Sequence, residues 1–253
     1  MVLAGMRRKS QSWQGEAAIA PGIGVFRGLS GNNKAHRHWA HQLSVGLNGP
    51  VRFDSPGGQN SFDAVLIPAG SQHCQLESHT LSLYLDPTSH LVSYFHIDVQ
   101  AGSKWSALSA HTIDTILQLF PDNYPVTQGL EQLLNDSSAG EWAPSSRLDK
   151  VLTTLKSALE DDSDVSRTDL AGIACLSPTR FSHWFREETG MPLRSYKKWL
   201  RLIHALEMAV VTRNLSESAQ MAGFADQSHF TRAVSQAFGI KPRDLLGLFS
   251  AEP

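Results

Sequence analysis

Three histidines stand within six residues of the segment Lys34–Leu43, which reads KAHRHWAHQL. Imidazole is the commonest metal ligand among side chains, and it also acts as a general acid or base near neutral pH. Another histidine, His73, follows about thirty residues later in the segment PAGSQH. These residues could form the metal centre of an enzyme, the pocket of a sensor, or a polar core that binds nothing.

The length and bulk composition allow two domains of ordinary size, or one large one. The 253 residues are 41% apolar, with a net charge of −2, and no apolar run approaches the ~18 residues of a membrane span. The start, MVLAGMRRKSQSW, has charges but no apolar stretch after them, so we expect no secretory signal. Two cysteines, Cys74 and Cys175, exclude a disulfide framework and favour a reducing compartment.

The two halves of the chain carry different patterns. Residues 19–99 contain short segments rich in branched and aromatic residues, separated by Gly, Pro, Asn and Ser, which predicts a sandwich or barrel of strands. The predicted strand segments are VFRGL, LSVGLN, VRFDS, AVLIPAG, CQLES and LSLYLDP. Helical spacing follows at Ile113, Ile116, Leu117 and Phe120 and again at Leu130–Leu134, so we expect a helix pair that either packs on the strands or forms a dimer surface. Beyond the polar stretch NDSSAGEWAPSS the pattern is helical to the end.

A shift of 49 residues lays part of the C-terminal half on itself. Phe181 falls on Phe230 and Gly190 on Gly239, so that SPTRFSHWFREETGMPLR and DQSHFTRAVSQAFGIKPR are two versions of one unit. Each version predicts a short helix, a tight turn, an N-cap and a second helix that ends in glycine. This is the pattern of a helix-turn-helix, whose second helix enters the major groove, and two such units could read grooves ~34 Å apart.

The same region resembles the AraC/XylS family of bacterial transcriptional regulators. The resemblance covers roughly residues 148–246 and is strongest in AGFADQSHFTRAVSQAFGIKPRDLL. Three positions depart from the family pattern, since Ser218 stands for a usual Ile, Val234 for a Phe and Leu246 for an Arg. We expect these departures to loosen the second unit without changing its fold.

The first turns of each recognition helix supply the DNA contacts that the pattern and the resemblance imply. Gln pairs with adenine and Arg with guanine, whereas Ser and Thr accept either. The expected contacts are Thr179, Ser182, His183, Arg186, Gln227, Ser228, Thr231 and Arg232. Basic residues placed to bind phosphates, which set affinity rather than sequence, are Arg180, Arg194, Lys197 and Lys198.

The histidine segment resembles the first motif of the cupin fold, and PAGSQH resembles the second. This resemblance implies that His36 and His38 lie on one face of a strand and join His73 inside a barrel. Gln42 stands where metal-binding cupins place a Glu, which removes one ligand charge. Three readings stay open for His36, His38, Gln42 and His73: a divalent transition-metal site, an organic-effector pocket, or a structural core. His41, at an odd offset, is expected to face the other side.

The sequence therefore predicts an α+β protein of two domains. Residues 1–110 would form a cupin-like sensor barrel, 111–134 the helix pair, 135–146 a linker, and 147–253 an all-α domain with two helix-turn-helix units. The expected function is sequence-specific regulation of transcription, more often activation than repression, and not enzymatic catalysis. Partners would be double-stranded promoter DNA, a small-molecule or metal effector, RNA polymerase and a second copy of the chain. The alternative is a cupin metalloenzyme with an accessory helical domain.

Overall fold

The computed structural model describes residues 13–55, 57–99, 104–138, 146–161 and 163–249. Its N-terminal part is rich in strands and its C-terminal part is helical, which confirms the predicted change of pattern. The strands are β1 (Gln14–Ala20), β2 (Ile23–Ser30), β3 (His41–Gly46), β4 (Val51–Ser55), β5 (Gly58–Phe62), β6 (Ala64–Ile67), β7 (Cys74–Gln75), β8 (Ser78–Leu85) and β9 (Ser106–Ala107).

The strands form two antiparallel sheets, in the orders β1-β2-β8-β3-β6-β9 and β5-β4-β7. Side chains alternate between the faces of a strand, and the alternation on β3 separates two environments. Leu43 and Val45 point into an apolar core that also contains the helices after the sheet. Gln42 and Ser44 point the other way, towards the smaller sheet, where Val51 and Phe53 of β4 pack on Val65 and Ile67 of β6.

Two of the ten helices described lie against the large sheet and match the predicted pair. The helices are α1 (Leu91–Tyr94), α2 (Ala110–Leu119), α3 (Val126–Ser138), α4 (Ser146–Glu160), α5 (Arg167–Ile173), α6 (Pro178–Thr189), α7 (Leu193–Thr212), α8 (Leu215–Met221), α9 (Gln227–Phe238) and α10 (Pro242–Leu246). Since α3 continues to Ser138, the first part of the predicted 135–146 linker is helical, and residues 139–145 lie outside the described ranges. None of the described helices is long and apolar enough to cross a membrane.

The sheet domain is in contact with the helical domain at several points. Ala17 N of β1 donates to Leu248 O at 2.8 Å, and Ala17, Phe26 and Leu248 form a buried cluster. Trp39 packs against both apolar cores of the helical domain, and Ala40 is buried in the second. The loop that carries the histidines is therefore shared by both domains.

Candidate nucleic-acid interface and imidazole cluster

The helical domain contains two similar helix pairs, α5–α6 and α8–α9. Ser177 caps α6 through Arg180 N and is followed by Pro178, and Asp226 caps α9 through His229 N at 2.7 Å. Both helices end at a glycine in the left-handed region, Gly190 (φ 76°) and Gly239 (φ 71°), where a side chain is unfavourable. The caps and ends predicted from the repeat are therefore present at both helices.

Most of the residues expected to contact DNA are exposed on α6 and α9. The exposed ones are Thr179, His183, Arg186, Gln227, Ser228 and Arg232. Ser182 and Thr231 are half-buried, and Ser182 Oγ donates to Pro178 O at 3.1 Å. Phe181, Phe185 and Phe230 point inward and are buried, so they hold the helices rather than stack on bases.

The expected phosphate-binding residues differ in whether their charged groups are exposed or already bound to another residue. Arg180, Arg194 and Lys198 are exposed. Lys197 Nζ instead lies 2.7 Å from Asp164 Oδ1 and 2.5 Å from Val165 O, and this ion pair lowers the pKa of Asp164. Because its ammonium is already held by the α4–α5 connection, Lys197 is the least available of the four.

The three positions that depart from the family pattern are buried in the helical domain. Ser218 has no exposed surface, and its hydroxyl donates to Asn214 O at 2.8 Å and lies 2.9 Å from Thr212 Oγ1. Val234 and Leu246 are also buried. The polar atom introduced at Ser218 is therefore hydrogen-bonded, which removes the main cost of burying it.

His36, His38 and His73 come together at the edge of the space between the sheets. Their ring centroids lie 4.3 Å (His36–His73), 5.1 Å (His38–His73) and 5.6 Å (His36–His38) apart. One ring nitrogen from each lies within 4.8 Å of the other two. The sequence therefore predicted which three histidines meet.

The expectation that a regular strand places His36 and His38 on one face is wrong, because β3 begins only at His41. The pair lies instead on an irregular segment. His36 makes an isolated bridge with His73, with N–O distances of 2.9 and 3.0 Å, and His38 O accepts from Gly70 N at 2.7 Å. The tight approach of two loops, rather than strand alternation, brings the imidazoles together.

Burial keeps the imidazoles neutral. It lowers the pKa of His36, lowers that of His38 well below 6.5, and lowers that of His73 to about 3. Repulsion from neighbouring histidines adds to the effect at His38 and His73. Burial also lowers the pKa of His41 to about 4, but this ring accepts from Ala69 N at 3.0 Å and stands outside the cluster.

A ladder of polar side chains extends from the cluster into the space between the sheets. Gln42 Oε1 lies 3.3 Å from His38 Nε2, while Gln42 Nε2 donates to Ser44 Oγ at 3.0 Å and Gln75 Oε1 at 3.3 Å. Ser44 in turn pairs with Ser82 at 2.8 Å. Gln75 and Ser82 were missed by the sequence reasoning, since neither belongs to a motif. Ser82 comes near Gln42 because β8 pairs with β3, and Gln75 because the smaller sheet faces β3.

A separate apolar cavity of about 120 Å³ lies between β1–β2 and the helical domain. Its lining includes Ala17, Phe26, Ile203 and Phe238, with Asp86 as its acidic member. His36 also lines it, so the cavity and the imidazole cluster share one wall. The sequence held no signal for this cavity, because the residues come from segments far apart in the chain.

Comparison with known proteins supports a helix-turn-helix protein. The family model described as a helix-turn-helix domain matches residues 170–247. The arabinose operon regulatory protein of Salmonella typhimurium is 32% identical over 83 residues, which is 31% of this chain and 30% of that protein. The transcriptional activator RhaR of Pectobacterium carotovorum is 36% identical over 59 residues, 23% of this chain and 21% of that protein. The matched region thus spans less than a third of either relative.

Among solved structures, the chain is similar in fold to ToxT of Vibrio cholerae over most of its length. An apo ToxT variant gives a TM-score of 0.58 at 10% identity, covering 94% of this chain and all of that one. The form with unsaturated fatty acid bound gives 0.54 at 13% identity, covering 98% of this chain and all of that one. At such identities the likeness is one of fold alone.

Proposed function

We propose that the helix-turn-helix region of this chain is of the AraC/XylS type, and that the protein is a sequence-specific regulator of transcription that responds to an effector bound by its sheet domain. The observation that carries the proposal is the pair of capped helices, α6 and α9, with exposed polar first turns. We expect the protein to act on promoter DNA in the bacterial cytoplasm, and to activate rather than repress. Contact with RNA polymerase and dimerisation belong to the same proposal.

The chemistry of the exposed residues supports base reading by both helices. Gln227 and Arg232 are one turn and a half apart on α9, and their side chains match adenine and guanine edges in the major groove. On α6, Thr179 and His183 are one turn apart and Arg186 follows in the next turn. Arg180, Arg194 and Lys198 would bind phosphates beside them, with a smaller part for Lys197.

Two places in the sheet domain are candidate effector sites. The imidazole cluster offers buried nitrogen atoms to a metal ion or to a polar ligand. The cavity offers apolar surface, and its 120 Å³ is close to the roughly 150 Å³ of an engineered cavity that binds benzene. ToxT, of similar fold, binds an unsaturated fatty acid. Here, none of the described residues lining the cavity is Lys or Arg, and Asp86 would repel a carboxylate, so we propose that any organic effector is small and carries no negative charge.

The DNA-binding proposal is tested by selecting preferred sequences from random duplexes with the full-length protein. Arg232→Ala should then weaken the selected site by about 1–3 kcal/mol, which is the usual value of one good base contact. It should change affinity for random DNA much less. Lys104→Ala, which removes an exposed charge from the sheet domain, is the matched control and should change neither.

Two results would count against this proposal. If no sequence is enriched, the protein does not read DNA specifically. If Arg232→Ala weakens selected and random duplexes equally, Arg232 binds phosphate and α9 does not read bases through it. Titrations at two or more salt concentrations separate these cases, because loss of a phosphate contact reduces the slope of log affinity against log salt.

A further inference from the structure

The α5–α6 and α8–α9 pairs of the helical domain have separate apolar cores. The first core contains residues of α4, α5 and α6 with part of α7, among them Phe181 and Tyr196. The second contains other residues of α7 with α8 and α9, among them Trp199 and Phe230. Since α7 contributes to both cores, the orientation of α6 relative to α9 depends on how each core is packed on this one helix.

One side chain joins the two cores, and it belongs to the sheet domain. Of the hydrophobic side chains in the described residues, Trp39 alone packs against both cores. It is half-buried and lies in the loop before β3, and its neighbour Ala40 is buried in the second core. Protein interiors are close-packed, so a large ring with contacts on both sides resists a change in the angle between the groups that it touches.

The ring of Trp39 is also held from the side of the sheet domain. Gly70 adopts a left-handed conformation (φ 79°), and its N–H donates to His38 O at 2.7 Å. A Cβ on Gly70 would lie 3.3 Å from Cζ3 of Trp39, which is tighter than ordinary van der Waals contact. Glycine therefore allows the backbone to approach the ring closely, and the ring cannot move towards the sheet domain without displacing this turn.

Hydrogen bonds connect the sheet domain to each helix pair as well. The Tyr196 hydroxyl lies 3.3 Å from Thr88 Oγ1, and the Tyr196 ring packs edge-on against Phe185 of α6 with centroids 5.4 Å apart. Lys34 N donates to Gly239 O, at the end of α9, at 3.2 Å. Together with the tryptophan, these bonds attach the sheet domain to both pairs and to the place where their cores meet.

We propose that Trp39 is a positioning residue that fixes the orientation of the α5–α6 pair relative to the α8–α9 pair, and that it thereby sets which distance between two half-sites in DNA the protein accepts. The second part rests on the proposed function, since half-sites matter only if α6 and α9 read DNA. B-DNA repeats every ~10–10.5 base pairs, so each added base pair moves two half-sites ~3.4 Å apart and turns them by ~34°. A fixed pair of recognition helices fits one such geometry, whereas a loosely connected pair fits several.

The first part is tested without DNA, by the distance between spin labels on α6 and α9 of the full-length protein. The labels are attached through Glu187→Cys and Gln236→Cys, both at exposed sites. The native cysteines are removed as Cys74→Ser and Cys175→Ser. Double electron–electron resonance should give one narrow distance distribution for this parent protein. Trp39→Ala should broaden or shift it, because the space between the cores is no longer filled, and Trp39→Phe should restore most of it.

Trp105→Ala is the matched control for this measurement. Trp105 is also a half-buried tryptophan of the sheet domain, but its ring packs against Phe53 and Phe62, with centroids 5.7 and 6.3 Å away, in the cluster between the sheets. The control should keep the parent distribution, and circular dichroism shows which variants are folded. If Trp39→Ala does not fold, Trp39→Leu decides, because leucine is apolar but too small to fill the same space. A parent distribution that persists without the tryptophan, or equal broadening in the control, overturns the positioning role.

The second part is tested on a duplex selected by the wild type, with one base pair inserted or deleted between its half-sites. Wild type should lose at least the roughly 5- to 150-fold in affinity that one mismatched base pair costs, because only one recognition helix stays in register. In Trp39→Ala the loss should fall towards onefold, while Trp39→Phe and Trp105→Ala should lose as much as wild type. A residue that only stabilised the fold would weaken binding to both spacings alike and leave their ratio unchanged.

The two measurements separate this inference from the proposed function. If the label distance changes in Trp39→Ala but the ratio between spacings equals that of the wild type, the control of spacing is wrong and the positioning role stands. A wild type that binds all spacings equally also contradicts the control of spacing. If the wild type selects no duplex at all, the proposed function fails, and the label distances still decide whether Trp39 fixes the two helix pairs.

Discussion

At the scale of single residues, the most consequential feature is the number of histidines buried in the neutral form. The pKa of His41 falls to about 4 and that of His73 to about 3, while those of His36 and His38 are also lowered. An unfolded chain would protonate all of them near pH 6.5. Because their folded-state pKa values are depressed, the stability of the fold is fully present above pH 6.5 and falls as the pH decreases towards 4.

His41 allows this pH dependence to be measured without touching the imidazole cluster. His41→Asn keeps an acceptor near Ala69 N but removes the titrating group. In urea unfolding of metal-free protein between pH 6.5 and 4.5, the dependence of stability on pH should decrease by up to about 1.4 kcal/mol per pH unit. Gln72→Asn, at an exposed position, exchanges one residue that does not titrate for another and should leave the slope unchanged. Equal slopes in wild type and His41→Asn would show that His41 can take up a proton within the fold.

At the scale of elements, the helix pair is fixed to the sheet by a buried charge. The Arg27 guanidinium on β2 pairs with Glu16 on β1 and donates to the carbonyls of Phe120, Pro121 and Tyr124 in the α2–α3 connection. The second oxygen of Glu16 accepts from Val126 N, at the start of α3, at 3.1 Å. Of the two roles foreseen for the helix pair, packing on the strands is present, and dimerisation remains a prediction.

Glu16→Ala should therefore lower the free energy of unfolding by more than is usual for a residue near the surface. It leaves the nearly buried Arg27 without its counter-charge and the first amide of α3 without an acceptor. We expect a loss of about 2 kcal/mol, below the roughly 3–5 kcal/mol of a fully buried pair because the Glu16 side chain is 29% exposed. Glu131→Ala, at an exposed site on α3, should cost less than about 0.5 kcal/mol. Similar losses in the two variants would mean that Glu16 does not fix the helix pair.

The elements predicted from sequence are those whose local pattern agrees with their environment. VRFDS alternates buried and exposed residues and forms β4 as expected. QGEAAIA and GQNSF were missed, because alanine, glycine and polar residues favour strands weakly. They become β1 and β5 through pairing with β2 and β4 and, for β1, through contact with Leu248. The imidazole cluster could likewise be predicted only in part from local sequence. Its members were identified by motif, but its irregular backbone depends on contacts with Gly239 and Phe238, some 200 residues away.

At the scale of the whole molecule, the two domains are joined by buried apolar side chains and by a few hydrogen bonds to main-chain carbonyls. Leu248 is 5% exposed and lies with Ala17 and Phe26 of the sheet, while Trp39 is packed in both helical cores. Such burial links the unfolding of one domain to that of the other, because separation would expose apolar surface on both. The C-terminal end of α9 is thus positioned by the sheet domain as well as by the other helices.

Leu248→Asp tests this linkage directly. Burying a carboxylate without a partner is unfavourable, so the helical domain should detach from β1 while each domain keeps its own core. Calorimetry should then show two transitions in place of the single one expected for the wild type. Met221→Asp is the control, since Met221 is 51% exposed and away from the interface, and it should keep one transition. A single transition in Leu248→Asp would mean that Trp39 and the Lys34–Gly239 bond suffice to hold the domains together.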